Sequence, residues 1–265
     1  MKTDDFETLI LARPRQNVLL VTFNRPEASN AMNTQLSRDV TAVFEGLAMD
    51  ADDIRCVVVT GAGDKAFCAG GDLKERKGMS DDAWQRQHVV FERMVRALLD
   101  CPLPTIGALN GAAYGGGCEI AGTLDFLYGS DTARFAMTET TLGIIPGAGG
   151  TQTLPRAMGE RRAKELILSG RPFSAEDALE WGLLNAVYPQ ADLLEAALDM
   201  AQRIAANAPV AVRQAKQAIH RGLNMSLADG LAFEIEAYNR TVPTKDRREG
   251  VLAFNEKRKP VFRGE

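Results

Sequence analysis

The sequence predicts an α/β fold: a mixed core followed by a helical C-terminal part packed closely against it. Three observations lead there. Short β-branched runs alternate with amphipathic stretches through the first half, and from Ser174 onward the apolar spacing is helical. No linker rich in Gly, Ser or Pro separates the two parts, and 265 residues suffice for a sizeable core. The expected division is a core over residues 1–195 that holds the active site, and a helical region over 196–265.

The elements follow in chain order. Val18 to Phe23 (VLLVTF) and Cys56 to Thr60 (CVVVT) have the composition of buried strands. Between them, Asn33 is a suitable N-cap for an amphipathic helix reaching Met49. Ser80 can cap the next helix, where Trp84, His88, Phe91, Val95 and Leu98 recur at three- and four-residue intervals. His88 is therefore read as part of a helix face rather than of an active site. Pro102 and Pro104 end that helix, and Thr105 to Leu109 forms the next strand. Asn110-Gly111 marks a turn, and a glycine stretch leads into a helix holding Glu119. Leu124 to Tyr128 and Arg134 to Ala136 read as further strands. Ser174 and Asp177 have capping-box spacing, and Trp181-Gly182 ends that helix. Residues 192–206, 209–221 and 227–238 read as three helices with no strand between them. No exact repeat or low-complexity segment is present.

Composition narrows the function classes. The 45% apolar and 25% charged residues are ordinary for a globular enzyme or binding protein. No uncharged apolar run approaches the ~18 residues of a membrane span. The opening MKTDDFETLI carries acids and lacks an apolar signal core. Cys56, Cys68, Cys101 and Cys118 have no C-x-x-C spacing, so neither a zinc site nor a redox pair is expected, and a reducing cytoplasm suits them. His88 and His220 are the only histidines, which leaves no histidine-rich metal site. The net charge of −4 gives no reason to expect nucleic acid. The tail from residue 245 to 263 nevertheless holds seven Lys or Arg against three Asp or Glu. It reads either as a solvated helix face or as the seat of a compact anion such as a nucleotide phosphate.

The dinucleotide fingerprint, the P-loop and the nucleophile elbow are all missing, so the glycine clusters need another purpose. FCAGGDL (67–73) follows the strand at 56–60, and YGGGCE (114–119) follows the strand at 105–109. Each is either a tight turn or backbone cleared for a ligand. In the second case, N–H groups from the two loops could converge on one carbonyl oxygen and stabilise the charge it gains. Glu119 either complements a helix N-terminus and faces water, or is a buried acid whose pKa must rise. Glu139 precedes another glycine-rich turn. Two carboxylates beside an oxyanion hole suit chemistry α to a carbonyl, although spacing alone does not bring them together.

From about residue 7 to the C-terminus, the sequence resembles the enoyl-CoA hydratase/isomerase (crotonase) superfamily. The blocks that carry the resemblance are NRPEASNAMN, DKAFCAGGDLKE, PTIGALNGAAYGGGCEIA, ETTLGIIPGAGGTQTLPR and TKDRREGVLAFNEKRKPVF, in that order. The resemblance implies a spiral of ββα repeats with a helical C-terminal trimerisation region, assembled as a homotrimer or a hexamer of two trimers. It implies an acyl-CoA substrate and no separate cofactor. The thioester oxygen would accept from the Gly71 and Gly116 N–H groups, Glu119 and Glu139 would hold the attacking water, and Glu139 would move the α-proton. The CoA moiety would lie against Ala28, Ala69, Gly71, Asp72, Leu73 and Gly116, with Tyr238, Phe254 and Lys257 supplied by a neighbouring subunit. Both glutamates together point to a hydratase rather than a one-carboxylate isomerase. LKERKGMS (73–80) and PTKDRREGVLAFNEKR (243–258) resemble the methylglutaconyl-CoA hydratase branch most closely. Some members of that branch bind AU-rich RNA through lysines on an early helix. The matching SRDVTAVFEGLAMDADDIR has no lysine, so no nucleic-acid partner is expected.

Overall fold

The computed structural model describes residues 6–265, so Met1 to Asp5 of the acidic opening segment lie outside it. Strand β1 (Leu9–Arg15) pairs antiparallel with β2 (Val18–Phe23), and α1 (Thr34–Met49) follows, with the Asn33 side chain accepting from Leu36 N–H. The chain then repeats one unit three times. β3 (Cys56–Gly61) and β4 (Ala66–Cys68) lead to α2 (Leu73–Arg76) and α3 (Asp81–Leu99). β5 (Thr105–Leu109) and β6 (Ala112–Tyr114) lead to α4 (Gly116–Ala121). β7 (Phe126–Ser130) and β8 (Arg134–Ala136) lead to a 3₁₀ turn at Glu139–Leu142. After α5 (Gly150–Met158) and α6 (Glu160–Ser169) come β9 (Phe173–Ser174), α7 (Ala175–Glu180) and β10 (Ala186–Tyr188). Helices α8 (Leu193–Ala205), α9 (Pro209–Gly222), α10 (Leu227–Thr241) and α11 (Lys245–Asn255) complete the chain.

In each repeat the first strand enters a six-stranded sheet, ordered β1-β2-β3-β5-β7-β10, and the second enters a four-stranded sheet, β4-β6-β8-β9. Successive repeats pair in parallel in both sheets, so each turn of the spiral advances the two sheets by one strand. The apolar run of β3 is used on both faces. Val57 and Val59 join the main core, while Cys56 and Val58 pack against Leu193, Ala197 and Ala201 of α8. That division follows from the alternation of side chains along a strand.

Several expectations need correction. β7 starts two residues late because Thr123 and Leu124 N–H bond back to α4 carbonyls. Strand β10 interrupts the stretch expected to be helical, pairing parallel with β7. The three-residue strands β4 and β6 are too short to leave a period. The division expected at residue 195 falls inside α8, whose apolar face belongs to the core. Close packing of the helical part holds for α8 but not beyond it. Helices α9 and α10 pack chiefly on each other, leaving Leu223, Leu227, Leu231 and Ile235 more than half exposed. Lys216 ties α9 to the core, donating to Leu103 O and pairing with Asp125, both at 2.8 Å. Among the described residues, no helix is long and apolar enough to cross a membrane.

Candidate active site

Strands β4, β6 and β8 are neighbours, and the segments leaving them enter one cavity of about 860 Å³. Gly71 follows β4, Gly116 follows β6 and Glu139 follows β8, with Glu119 one turn into α4. All four line the cavity, together with Ala69 and Leu73.

The glycines are there for contact distance. A Cβ on Gly117 would overlap the carbonyl oxygen of Cys68, so α4 starts hard against the end of β4. Gly115 turns the chain at φ +49°, a region open chiefly to glycine, and its N–H donates to Ala136 O at 2.8 Å. The result brings two amides together, since a Cβ on Gly116 would stand 3.7 Å from the Gly71 nitrogen. Among the described residues, neither the Gly71 nor the Gly116 N–H has a protein acceptor. Gly116 is the first residue of α4, where the N–H has no intrahelical partner.

The two acids are buried, at 3% and 7% exposure for Glu119 and Glu139. The water-facing reading of Glu119 is thereby excluded. Ala148 and Gly150 N–H both donate to Glu119 Oε1 at 2.8 Å. Burial raises its pKa to about 7, with the nearby Glu139 charge adding to the rise and the two amides opposing it. Burial also raises the pKa of Glu139, whose Oε2 has no hydrogen-bond partner. Its Oε1 reaches toward Gly115, where a Cβ would stand 2.9 Å away. The cavity therefore holds one carboxylate fixed by amides, one with a free oxygen, and two acceptor-free N–H groups. Such a set can polarise a carbonyl and move protons on the carbon chain beside it.

Sequence reading missed a further part of the lining, formed by Arg76, Trp84, His88 and Phe91. His88 does lie on a helix face, but that face borders the cavity, and its ring packs against Gly147. The α3 periodicity identified the face without identifying what it meets. The Ala148 and Gly150 amides were visible only as a glycine-rich turn. Other expected residues are elsewhere. Ala28 sits behind the wall, where neighbouring Ser29 O accepts from Ala69 N–H at 3.1 Å. Asp72 caps α2 and pairs with Arg25 at 3.0 Å, so its side chain holds the loop and does not face the cavity. Tyr238 and Phe254 are exposed on α10 and α11, Lys257 follows α11, and none of the three lines the cavity. Part of the basic tail is internally balanced, as Arg258 pairs with Glu249 and Glu256.

Comparison with known proteins agrees with this architecture. The short-chain-enoyl-CoA hydratase of Clostridium acetobutylicum is 40% identical over 250 residues, covering 94% of this chain and 95% of that protein. The mitochondrial methylglutaconyl-CoA hydratase of Homo sapiens is 38% identical over 270 residues, covering 100% of this chain and 79% of that protein. The crystal structure of enoyl-CoA hydratase from Bacillus anthracis superposes with a TM-score of 0.96 at 42% identity, over 98% of this chain and 100% of that one. The enoyl-CoA hydratase/isomerase profile matches residues 13–265, and with relatives of this similarity along nearly its whole length the chain belongs to that family.

Proposed function

We propose that the protein is an enoyl-CoA hydratase, adding water reversibly across the double bond of a trans-2-enoyl-CoA to give the 3-hydroxyacyl-CoA. The observation that carries this reading is the pair of buried glutamates facing one cavity beside the Gly71 and Gly116 amides. The thioester oxygen accepts from both amides and gains negative charge as the C2–C3 π electrons move toward it. Glu119, in its ionised form, takes a proton from water as the water oxygen bonds to C3. Glu139, in its protonated form, delivers a proton to C2. The hydroxyl ends on C3 and a proton on C2, and the two acids together hold one proton before and after. An isomerase needs a single carboxylate to carry a proton between carbons, so a second buried acid favours the hydratase.

The test is the hydration rate of crotonyl-CoA with Glu119→Gln and Glu139→Gln. Each substitution is expected to lower kcat by roughly 10²–10⁴-fold. Retention of more than about a tenth of the wild-type rate by either variant contradicts the two-acid mechanism and moves the isomerase ahead.

The adenosine end of CoA is assigned to Tyr238, Phe254 and Lys257 of a neighbouring copy. Support comes from the exposure of these residues away from their own cavity, and from the apolar faces left uncovered on α9 and α10. Sedimentation combined with an activity measurement tests this, because a fully active monomer is incompatible with a shared site.

A further inference from the structure

We propose that Arg76 is a receptor for a carboxylate on the acyl chain, so that the cavity selects thioesters with an anionic second end. The catalytic part of this proposal rests on the hydratase reading; the binding part does not.

Arg76 ends α2 and lines the same cavity as Glu119 and Gly71. Its guanidinium lies 4.2 Å from the Trp84 ring centroid and 5.0 Å from that of Phe91. Its Nε donates to Gln87 Oε1 at 2.9 Å. Gln87 is buried and fixed in turn, its Nε2 donating to Glu75 Oε2 at 2.7 Å and to Thr34 Oγ1 at 2.9 Å. Stacking and one hydrogen bond thus set the plane of the guanidinium while leaving its outer fork unused. Among the described residues, Nη1 and Nη2 have no acceptor, and Arg76 forms no ion pair.

The nearby acids do not fill this role. The Glu75 carboxylate accepts from Thr34 N–H and from Gln87, and neither Glu119 nor Glu139 pairs with Arg76. Burial depresses the Arg76 pKa, and the nearby Glu75 charge opposes that fall without forming an ion pair with it. A planar fork held in this way matches a carboxylate bidentately. Its position indicates which part of the ligand it meets, because a Cβ on Gly71 would stand 3.6 Å from Nη1. The fork is therefore beside the proposed seat of the thioester carbonyl. A CoA phosphate is the other possible source of an anion, and the two make different predictions.

The experiment measures calorimetric binding of glutaryl-CoA and butyryl-CoA, which share the CoA moiety and differ in the terminal carboxylate. Wild type is expected to bind glutaryl-CoA at least about tenfold more tightly. Arg76→Met should reduce that ratio by about 10- to 100-fold, the range for a charge-assisted hydrogen bond, and Arg76→Lys by less. Equal affinities in wild type overturn the proposal, with no variant needed. So does a preference that survives in Arg76→Met. Equal weakening of both thioesters by Arg76→Met also overturns it and assigns the residue to CoA. Hydration of glutaconyl-CoA and crotonyl-CoA is measured in parallel. Failure of wild type to hydrate either one contradicts the hydratase reading, while the binding ratio still decides the role of Arg76.

Discussion

Glu119 and Glu139 face the same cavity from walls of different construction. On the Glu119 side, α4 is wedged against β4 and two amides at the start of α5 grip one carboxylate oxygen. On the Glu139 side, a 3₁₀ turn ends in Gly143 with open space around it, and one carboxylate oxygen is unbonded. The contrast separates two ways of holding an acid. Glu119 is fixed by backbone amides that grip one oxygen, whereas Glu139 is positioned by its own turn.

The largest effect should come from removing both acids. If the fixed and the free carboxylate hold one water between them, the double Gln variant should fall no more than about tenfold below the poorer single variant. Losses that multiply in crotonyl-CoA hydration would show two independent groups and break the comparison.

Packing distinguishes the walls next. Gly117→Ala forces a methyl into the Cys68 carbonyl and should cost roughly 3 kcal/mol or more in urea unfolding. Gly143→Ala meets nothing within 4 Å and carries only the strain of φ +76°, about 1–2 kcal/mol. Equal costs would mean that the walls are equally rigid.

Titration sharpens the comparison further. Glu119 binds its proton more tightly folded than unfolded, its pKa rising from 4.5 to about 7. Its contribution to stability is fully present below about pH 4.5 and is lost as pH rises through about 7. Glu119→Gln removes that slope, so the variant should gain on wild type between pH 4.5 and 8, by up to roughly 3 kcal/mol. A stability difference that stays flat with pH would mean that Glu119 is not perturbed in the folded protein.

Much of this site was legible in the sequence, in a particular way. Gly71, Gly116, Glu119 and Glu139 stood out as glycine clusters with a nearby acid, and the resemblance gave them a common purpose. Their meeting was not legible, because it depends on β4, β6 and β8 lying side by side, and of these short strands only β8 was read from the sequence. Arg76 reads as one charge among several in LKERK, and only the stacking on Trp84 and the empty fork single it out. His88 shows the complementary limit. Periodicity assigns a residue to a helix face but not to what that face borders. The same limit applies to α9 and α10, whose apolar stripes were readable while their exposure among the described residues was not.

The spiral has a consequence for how reacting groups keep their distance. Gly71, Gly116 and Glu139 leave the ends of three adjacent parallel strands, one from each successive repeat. Neighbouring strands are separated by about 4.8 Å, a spacing set by backbone hydrogen bonds and indifferent to side chains. The small sheet thus works as a ruler whose divisions are peptide geometry. Residues beneath it can change with little effect on the spacing between carbonyl seat and acid, whereas a one-residue register slip would move an entire graduation. Chemistry measured against such a scale can tolerate drift in the core while new acyl groups are accommodated on the facing helix.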